Sequence, residues 1–274
     1  MISRLPLAVG IIGAGAIAHA LLRCLEENGA RGSIEIVAML DRSPDKLASF
    51  GSVLPGAALT TDPEAFWARS PSLVVECAGH EAVREQGPEV LARGRDLLLI
   101  SIGALANAET EQLLRAAANN SSGRLFLPSG AVGGLDLLAS ARLAGLSRVR
   151  YVARKPPLAW LGTPAESRVE LATLTEPVEF FKGNARAAAQ EFPQNANVAA
   201  AIALAGVGFE ATEVVLIADP GATGNEHWFA AEGAFGRAEV KIAGKPLPEN
   251  PKTSWLAALS LARAVLNANA RVVI

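Results

Sequence analysis

An α/β fold, with a doubly wound parallel sheet leading and a smaller α+β region following, is what the sequence predicts. Three observations predict it. An apolar run over residues 8–12 ends in the turn Gly13-Ala14-Gly15-Ala16-Ile17-Ala18, and a helical pattern begins at about Ile17. Short apolar runs and amphipathic stretches then alternate as far as Pro128, the rhythm of a parallel sheet with helices on both faces. After Pro128 the texture changes to longer strands, and residues 234–242 alternate apolar with polar, which suits a sheet with one wet face.

The glycine turn carries a physical requirement at each position. Gly13 permits a tight strand-to-helix turn. Gly15 has no side chain, so a pyrophosphate can approach the backbone. Ala18 is small enough for the helix to pack on the strand. Free N–H groups and the positive dipole end of the helix, at Ala16 and Ile17, then face the phosphates. Arg4, the apolar run and Ala14-Gly15-Ala16 imitate a secretory signal with its cleavage site. Gly10 and Gly13 break that run, and cleavage would remove the first strand, so the signal reading is set aside.

Composition narrows the function classes. The chain has 274 residues, enough for two modest domains, and 50% of them are hydrophobic. A net charge of −2 gives no field for nucleic acid or an anionic membrane. No apolar run is long enough to span a bilayer. Cys24 and Cys77 lack metal-ligand spacing, and so few cysteines suit a reducing cytoplasm. Three histidines, His19, His80 and His227, can each be weighed singly.

The elements follow in order. Residues 19–28 continue the first helix, with Leu21, Leu22, Cys24 and Leu25 on its apolar face and Asn28-Gly29 as its stop. Residues 34–40 read as a second buried strand ending at Asp41. An acidic residue at this point, roughly 20–25 residues past the glycines, hydrogen-bonds adenosine ribose hydroxyls in the Rossmann arrangement. Its carboxylate favours NAD. Arg42 follows and can accept the extra phosphate of NADP, so both cofactors stay open. Asp41 can equally be a helix N-cap, in competition with Ser43. Short helices are expected over 44–50 and 62–69, the latter with Asp62 as N-cap and Pro63 at its first position.

Residues 72–77 form a continuous apolar strand that ends in Cys77-Ala78-Gly79-His80. Strand ends line the ligand crevice of a doubly wound sheet, which places Cys77, Ala78 and Gly79 beside the cofactor. His80 begins the next helix, 81–93. Strands at 96–101 and 124–128 flank a helix at 110–118. The small-residue turn Ser129-Gly130-Ala131-Val132-Gly133-Gly134 can bring backbone close to a ligand. Beyond it, helices are expected at 137–144, 184–190 and 196–205, and strands at 147–153, 168–171, 213–218, 226–233 and 235–242. A last helix, 253–269, is expected to return to the first domain by analogy with two-domain dehydrogenases. The domain division is then 1–130, with 251–274 packing back on it, and 131–250.

Two further stretches carry a resemblance: Glu191-Phe192-Pro193-Gln194-Asn195-Ala196-Asn197-Val198-Ala199, and Ile217-Ala218-Asp219-Pro220 through Gly224-Asn225-Glu226-His227. With the glycine turn, Glu76-Cys77-Ala78-Gly79, Pro128-Ser129-Gly130-Ala131 and Asn250-Pro251-Lys252-Thr253-Ser254, they resemble the L-aspartate dehydrogenase family over nearly the whole chain. The resemblance implies oxidative deamination of L-aspartate through iminoaspartate to oxaloacetate and ammonia, or the reverse amination, with NAD or NADP. It also implies a homodimer and a supply of iminoaspartate for NAD biosynthesis. It places the active-site histidine at His227 and cofactor contacts at Ala131 and Asn197. Gln194 departs from the lysine often found there.

The residues support that chemistry on their own terms. Hydride leaves the α-carbon only if the amine sheds a proton, and the water that attacks the imine also needs a base. A histidine titrating near the working pH serves both steps. The plain alternative for His227 is an edge-strand histidine facing solvent, and for Asn197 a helix N-cap, a role Asn195 can also fill. A dicarboxylate substrate needs cations, for which Arg154, Lys155 and Lys252 are candidates. Ser129 and Ser254 are possible hydrogen-bond donors with no stronger claim. Competing functions are a homoserine-, dihydrodipicolinate- or sugar-type oxidoreductase of the same layout, and a non-catalytic nicotinamide-binding regulator. Lys155-Pro156 spells the Lys-Pro motif of the sugar-oxidising type, but it follows a strand of the second region.

Overall fold

The structure is a computed structural model that describes residues 5–30, 32–193, 196–247 and 250–273, leaving aside the side chains of 251 and 252. Gln194 and Asn195, and the side chain of the candidate cation Lys252, therefore lie outside the described residues. The chain divides into two compact units. The first comprises residues 1–104, 108–128 and 258–274, and the second 105–107 and 129–257.

In the first unit, β1 (Leu7–Ile12) leads into α1 (Ala16–Glu27), followed by β2 (Ile34–Leu40), α2 (Pro44–Ala48), β3 (Ala58–Thr60) and α3 (Pro63–Trp67). Then come β4 (Leu73–Glu76), α4 (His80–Ala92), β5 (Asp96–Leu99), α5 (Ala108–Asn119) and β6 (Leu125–Phe126). The strands form one sheet in the order β3-β2-β1-β4-β5-β6, with every pairing parallel. Crossovers run outward in both directions from β1, so the switch point falls between β1 and β4. Such a crevice at the strand carboxyl ends is where open α/β sheets hold ligands. Register brings those ends level: Ile12 pairs with Leu40 on one side and Glu76 on the other. Val9, Ile11, Val74, Val75, Leu98 and Leu99 are buried, as a sheet covered on both faces requires.

Local signals stop and start the helices. Ser43 Oγ accepts from Lys46 N at 3.4 Å, so Ser43 caps α2 and Asp41 does not. Asp62 Oδ1 caps α3 by accepting from Glu64 N at 3.0 Å.

In the second unit, α6 (Leu135–Arg142) precedes β7 (Leu146–Lys155), then β8 (Val178–Asn184), α7 (Ala185–Glu191), α8 (Ala196–Ala205), β9 (Thr212–Ala218), β10 (Asn225–Gly233) and β11 (Gly236–Gly244). A short ribbon, β12 (Pro246–Leu247) and β13 (Asn250–Ser254), leads to α9 (Trp255–Asn269). From Ala258 onward α9 belongs to the first unit, where Asn269 Nδ2 donates to Ser33 O at 2.7 Å. The main sheet runs β11-β10-β7-β9-β8, antiparallel except for the β7–β9 pair. The apolar helix α8 packs against β7 and β9.

One expected strand is absent. Residues 168–171 lie in a run of short 3-10 turns (Pro157–Trp160, Pro164–Ser167, Leu171–Thr173), where Thr163 Oγ1 caps the second by accepting from Ala165 N at 3.3 Å. The sheet partner in that stretch is β8, a few residues later.

Candidate functional site

The first unit gathers its candidates at the carboxyl edge of the parallel sheet. Gly13 has φ +106°, and a Cβ there would stand 2.7 Å from both Ala78 N and Cys77 C. The turn after β1 and the turn after β4 thus touch backbone to backbone, which only glycine allows. Around Gly15 the opposite holds: a Cβ there would meet nothing within 4 Å. Gly15 is the N-cap of α1, and among the described residues no side chain caps that end. The result is an open cradle at a helix amino terminus, bounded by Ala16 and Ile17, of the kind that takes phosphate.

Asp41 braces this turn. Its Oδ2 accepts from Ala14 N at 2.8 Å and its Oδ1 from Ser43 N at 2.8 Å. Each oxygen retains a second lone pair for a ligand hydroxyl. A cleft of about 610 Å³ opens there, lined among others by Gly13, Asp41, Arg42, Lys46, Gly79 and His80. Arg42 is paired with Glu81 at 2.8 Å. Cys77 turns its thiol to Gly13 O at 3.5 Å, and burial pushes that thiol's pKa well up. A neutral thiol there is inert.

Glu76 has a role that its place in a motif does not reveal. Its carboxylate is fully buried at the end of β4 and accepts from Ala78 N (2.8 Å), Gly79 N (2.7 Å), Ser101 N (3.1 Å) and Ser101 Oγ (3.0 Å). Burial raises its pKa and these donors oppose the rise. Four donors offset much of the cost of burying the carboxylate and fix the Ala78-Gly79 turn. An acidic residue closing an apolar strand was the available signal. The cradle at Gly15, the cleft and the outward lone pairs of Asp41 together fit the pyrophosphate and ribose of a dinucleotide.

In the second unit, one face of the sheet is buried and carries Val149, Tyr151, Ala153 and Lys155 from β7, with His227 and Phe229 from β10. His227 is no edge-strand residue, because β10 lies between β7 and β11. The residue is only 4% exposed. Register pairs it with Ala153, so its diagonal neighbours on β7 are Tyr151 and Lys155. Tyr151 Oη and His227 Nδ1 share a hydrogen bond of 2.8 Å. In the tautomer with the proton on Nδ1, that proton goes to Oη and Nε2 keeps a lone pair.

Burial, and then the charge of Lys155, push the His227 pKa down to about 3. The expectation of an imidazole titrating near the working pH therefore does not hold for the free chain. The ring is neutral there because a buried imidazolium lacks solvation and faces a cation. Burial likewise lowers Lys155 to about 8 and raises Tyr151.

The other predicted residues of this unit sit on separate elements. Ala131 is half-buried in the turn before α6, and Asn197 is exposed as the second residue of α8. Arg154 lies on the opposite sheet face from His227 and pairs with Asp219 at 2.8 Å. Ser254 is buried at the end of β13.

Comparison with known proteins decides the family. Residues 136–268 match the profile described as aspartate dehydrogenase, C-terminal, and residues 13–128 match the homoserine dehydrogenase NAD binding domain. The L-aspartate dehydrogenase of Ralstonia pickettii is 43% identical over 264 residues, covering 95% of this chain and 97% of that protein. The chain belongs to the L-aspartate dehydrogenase family. The L-aspartate dehydrogenase of Ruegeria pomeroyi is 51% identical over 202 residues, 74% of each chain. Among solved structures, the aspartate dehydrogenase of Thermotoga maritima aligns with a TM-score of 0.74 at 30% identity, covering 98% of this chain and 99% of that one. Membership makes the chain an NAD(P)-dependent oxidoreductase and its first unit a nicotinamide-nucleotide domain. Among the described residues no helix is long and apolar enough to cross a membrane.

Proposed function

We propose that this chain oxidises L-aspartate to iminoaspartate with NAD or NADP, and that His227 is the residue that moves the protons. The observation that carries this is a neutral imidazole held at Nδ1 by Tyr151 beside Lys155. Bound NAD(P) supplies the hydride acceptor. His227 Nε2 takes the proton that the α-amino group must lose before the α-carbon can become an imine carbon. After releasing that proton to solvent, the same nitrogen takes one from the water that adds to the imine and returns it to the departing amine, so that hydrolysis gives oxaloacetate and ammonia. Tyr151 holds the ring so that one nitrogen serves both steps.

In the first unit, Gly13, Gly15, Ala16 and Ile17 take the pyrophosphate and Asp41 the adenosine ribose. Cys77, Ala78 and Gly79 form the neighbouring wall, and Ala131 and Asn197 are further cofactor contacts in this reading. A homodimer, a cytoplasmic setting and a supply of iminoaspartate to NAD biosynthesis belong to the same reading.

Asp41 makes this concrete. Its carboxylate repels a 2′-phosphate, so Asp41→Ala should lower the ratio of kcat/KM for NAD to that for NADP. An unchanged ratio would remove Asp41 from the ribose. The reaction itself is tested by selectivity. A site built for two carboxylates leaves its cation unpaired when one is missing. L-aspartate should therefore exceed L-alanine in kcat/KM by about 10² or more. Comparable turnover of L-alanine would sink the dicarboxylate reading.

A further inference from the structure

Three cations were candidates for a substrate carboxylate, and the fold separates two of them. Successive residues of a strand point to opposite faces. Arg154 therefore lies on the opposite face from His227, paired with Asp219. Lys155 is the last residue of β7 and lies on the same buried face as Tyr151 and His227.

Lys155 is 9% exposed, an unusual setting for an ammonium. Its Nζ stands 4.9 Å from the centre of the Trp160 ring, and its backbone O accepts from Asp219 N at 2.9 Å. Ala153 sits opposite His227 with only a methyl group. The imidazole and the ammonium thus flank a small residue on one buried face.

We propose that Lys155 is the cation that receives the side-chain carboxylate of the dicarboxylate substrate beside the His227 imidazole. This rests on the reading of His227 as the proton-transferring residue. Recognition and chemistry are then coupled. In the free chain the Lys155 charge opposes protonation of His227. A carboxylate seated on Lys155 offsets that contribution, the second after burial, and so makes His227 a stronger base when the correct substrate is present. An amino acid without a side-chain carboxylate leaves that contribution in place.

The test uses Lys155→Met, which keeps length and removes charge, and Lys155→Arg, which keeps charge. In the methionine variant, the ratio of kcat/KM for L-aspartate to that for L-alanine should fall about 10²-fold or more. Succinate, titrated into the protein with NADH bound, should bind at least about tenfold more weakly than to wild type. NAD affinity should not move. The arginine variant should recover part of the preference for L-aspartate. Melting temperature should rise or hold in the methionine variant, because a buried charge has been removed. A methionine variant that keeps both its succinate affinity and its preference for L-aspartate over L-alanine overturns the proposal. So does a lowered melting temperature with unchanged selectivity, which would make Lys155 a packing partner of Trp160. Failure of the underlying reading is separate: His227→Ala would then turn over at the wild-type rate, whatever Lys155→Met does to selectivity.

Discussion

Replacing His227 by alanine should lower kcat for L-aspartate oxidation by about 10²–10⁴, the usual worth of a positioned acid–base group. The ring is buried, held at Nδ1 and neutral, so it is placed to accept a proton without rearrangement. NAD affinity should change little, since the glycine turn and Asp41 belong to the first unit. The proper control is His19, which is exposed on α1 and stacked on Phe50 at 3.9 Å. His19→Ala should keep wild-type turnover. His80 is the poorer control because it lines the nucleotide cleft.

Stability reports the same group. The folded pKa of about 3 lies below the ordinary 6.5, so between those values the unfolded chain binds the extra proton. The folded state therefore loses stability as pH falls through that window, by on the order of 5 kcal/mol from this group alone. His227→Gln should lack that part of the acid loss in urea melts at pH 7 and pH 4. If His227→Ala retains wild-type kcat, the proton-transfer role belongs elsewhere.

Gly13→Ala should cost the first unit about 3–5 kcal/mol, from left-handed strain together with overpacking. The methyl group would stand 2.7 Å from Ala78 N, and that backbone has little freedom to retreat. Glu76 holds Ala78 N and Gly79 N at 2.8 and 2.7 Å. Gly15→Ala is the matched comparison. Its φ of −102° suits any residue and its methyl group meets nothing. It should fold normally and instead weaken nucleotide binding by filling the cradle. Chemical denaturation and an NAD titration of both variants separate the two effects. Equal stability of Gly13→Ala and wild type would show that the two turns do not pack as described.

Much of the first unit was legible because each element carried its own local signal. The run Ile34–Leu40 is buried and apolar throughout its carboxyl half, and Pro63 after Asp62 marks a helix start. The strand Ala58–Thr60 carries no such signal, because three half-buried residues show no period. In Val178–Asn184, Glu179 and Lys182 interrupt the apolar pattern that would mark a strand. At the site, the glycine turn and Asp41 were readable as a spacing. The bonds of Glu76 to Ser101 and of Tyr151 to His227 join residues 25 and 76 positions apart, and only the folded sheet brings them together. The same is true of Lys155, whose meaning changes once β7 runs two residues beyond the predicted strand and sets its side chain on the His227 face. The low pKa of His227 follows from that burial, which no local pattern encodes.

The most direct measurement is the absorbance of reduced nicotinamide when the purified protein and NAD or NADP meet L-aspartate, homoserine or a sugar such as myo-inositol, with ammonia assayed in parallel. L-aspartate should give reduced nicotinamide and ammonia in equal amounts, and the other two should give neither. Reduction driven by homoserine or the sugar, with L-aspartate inert, would contradict the account.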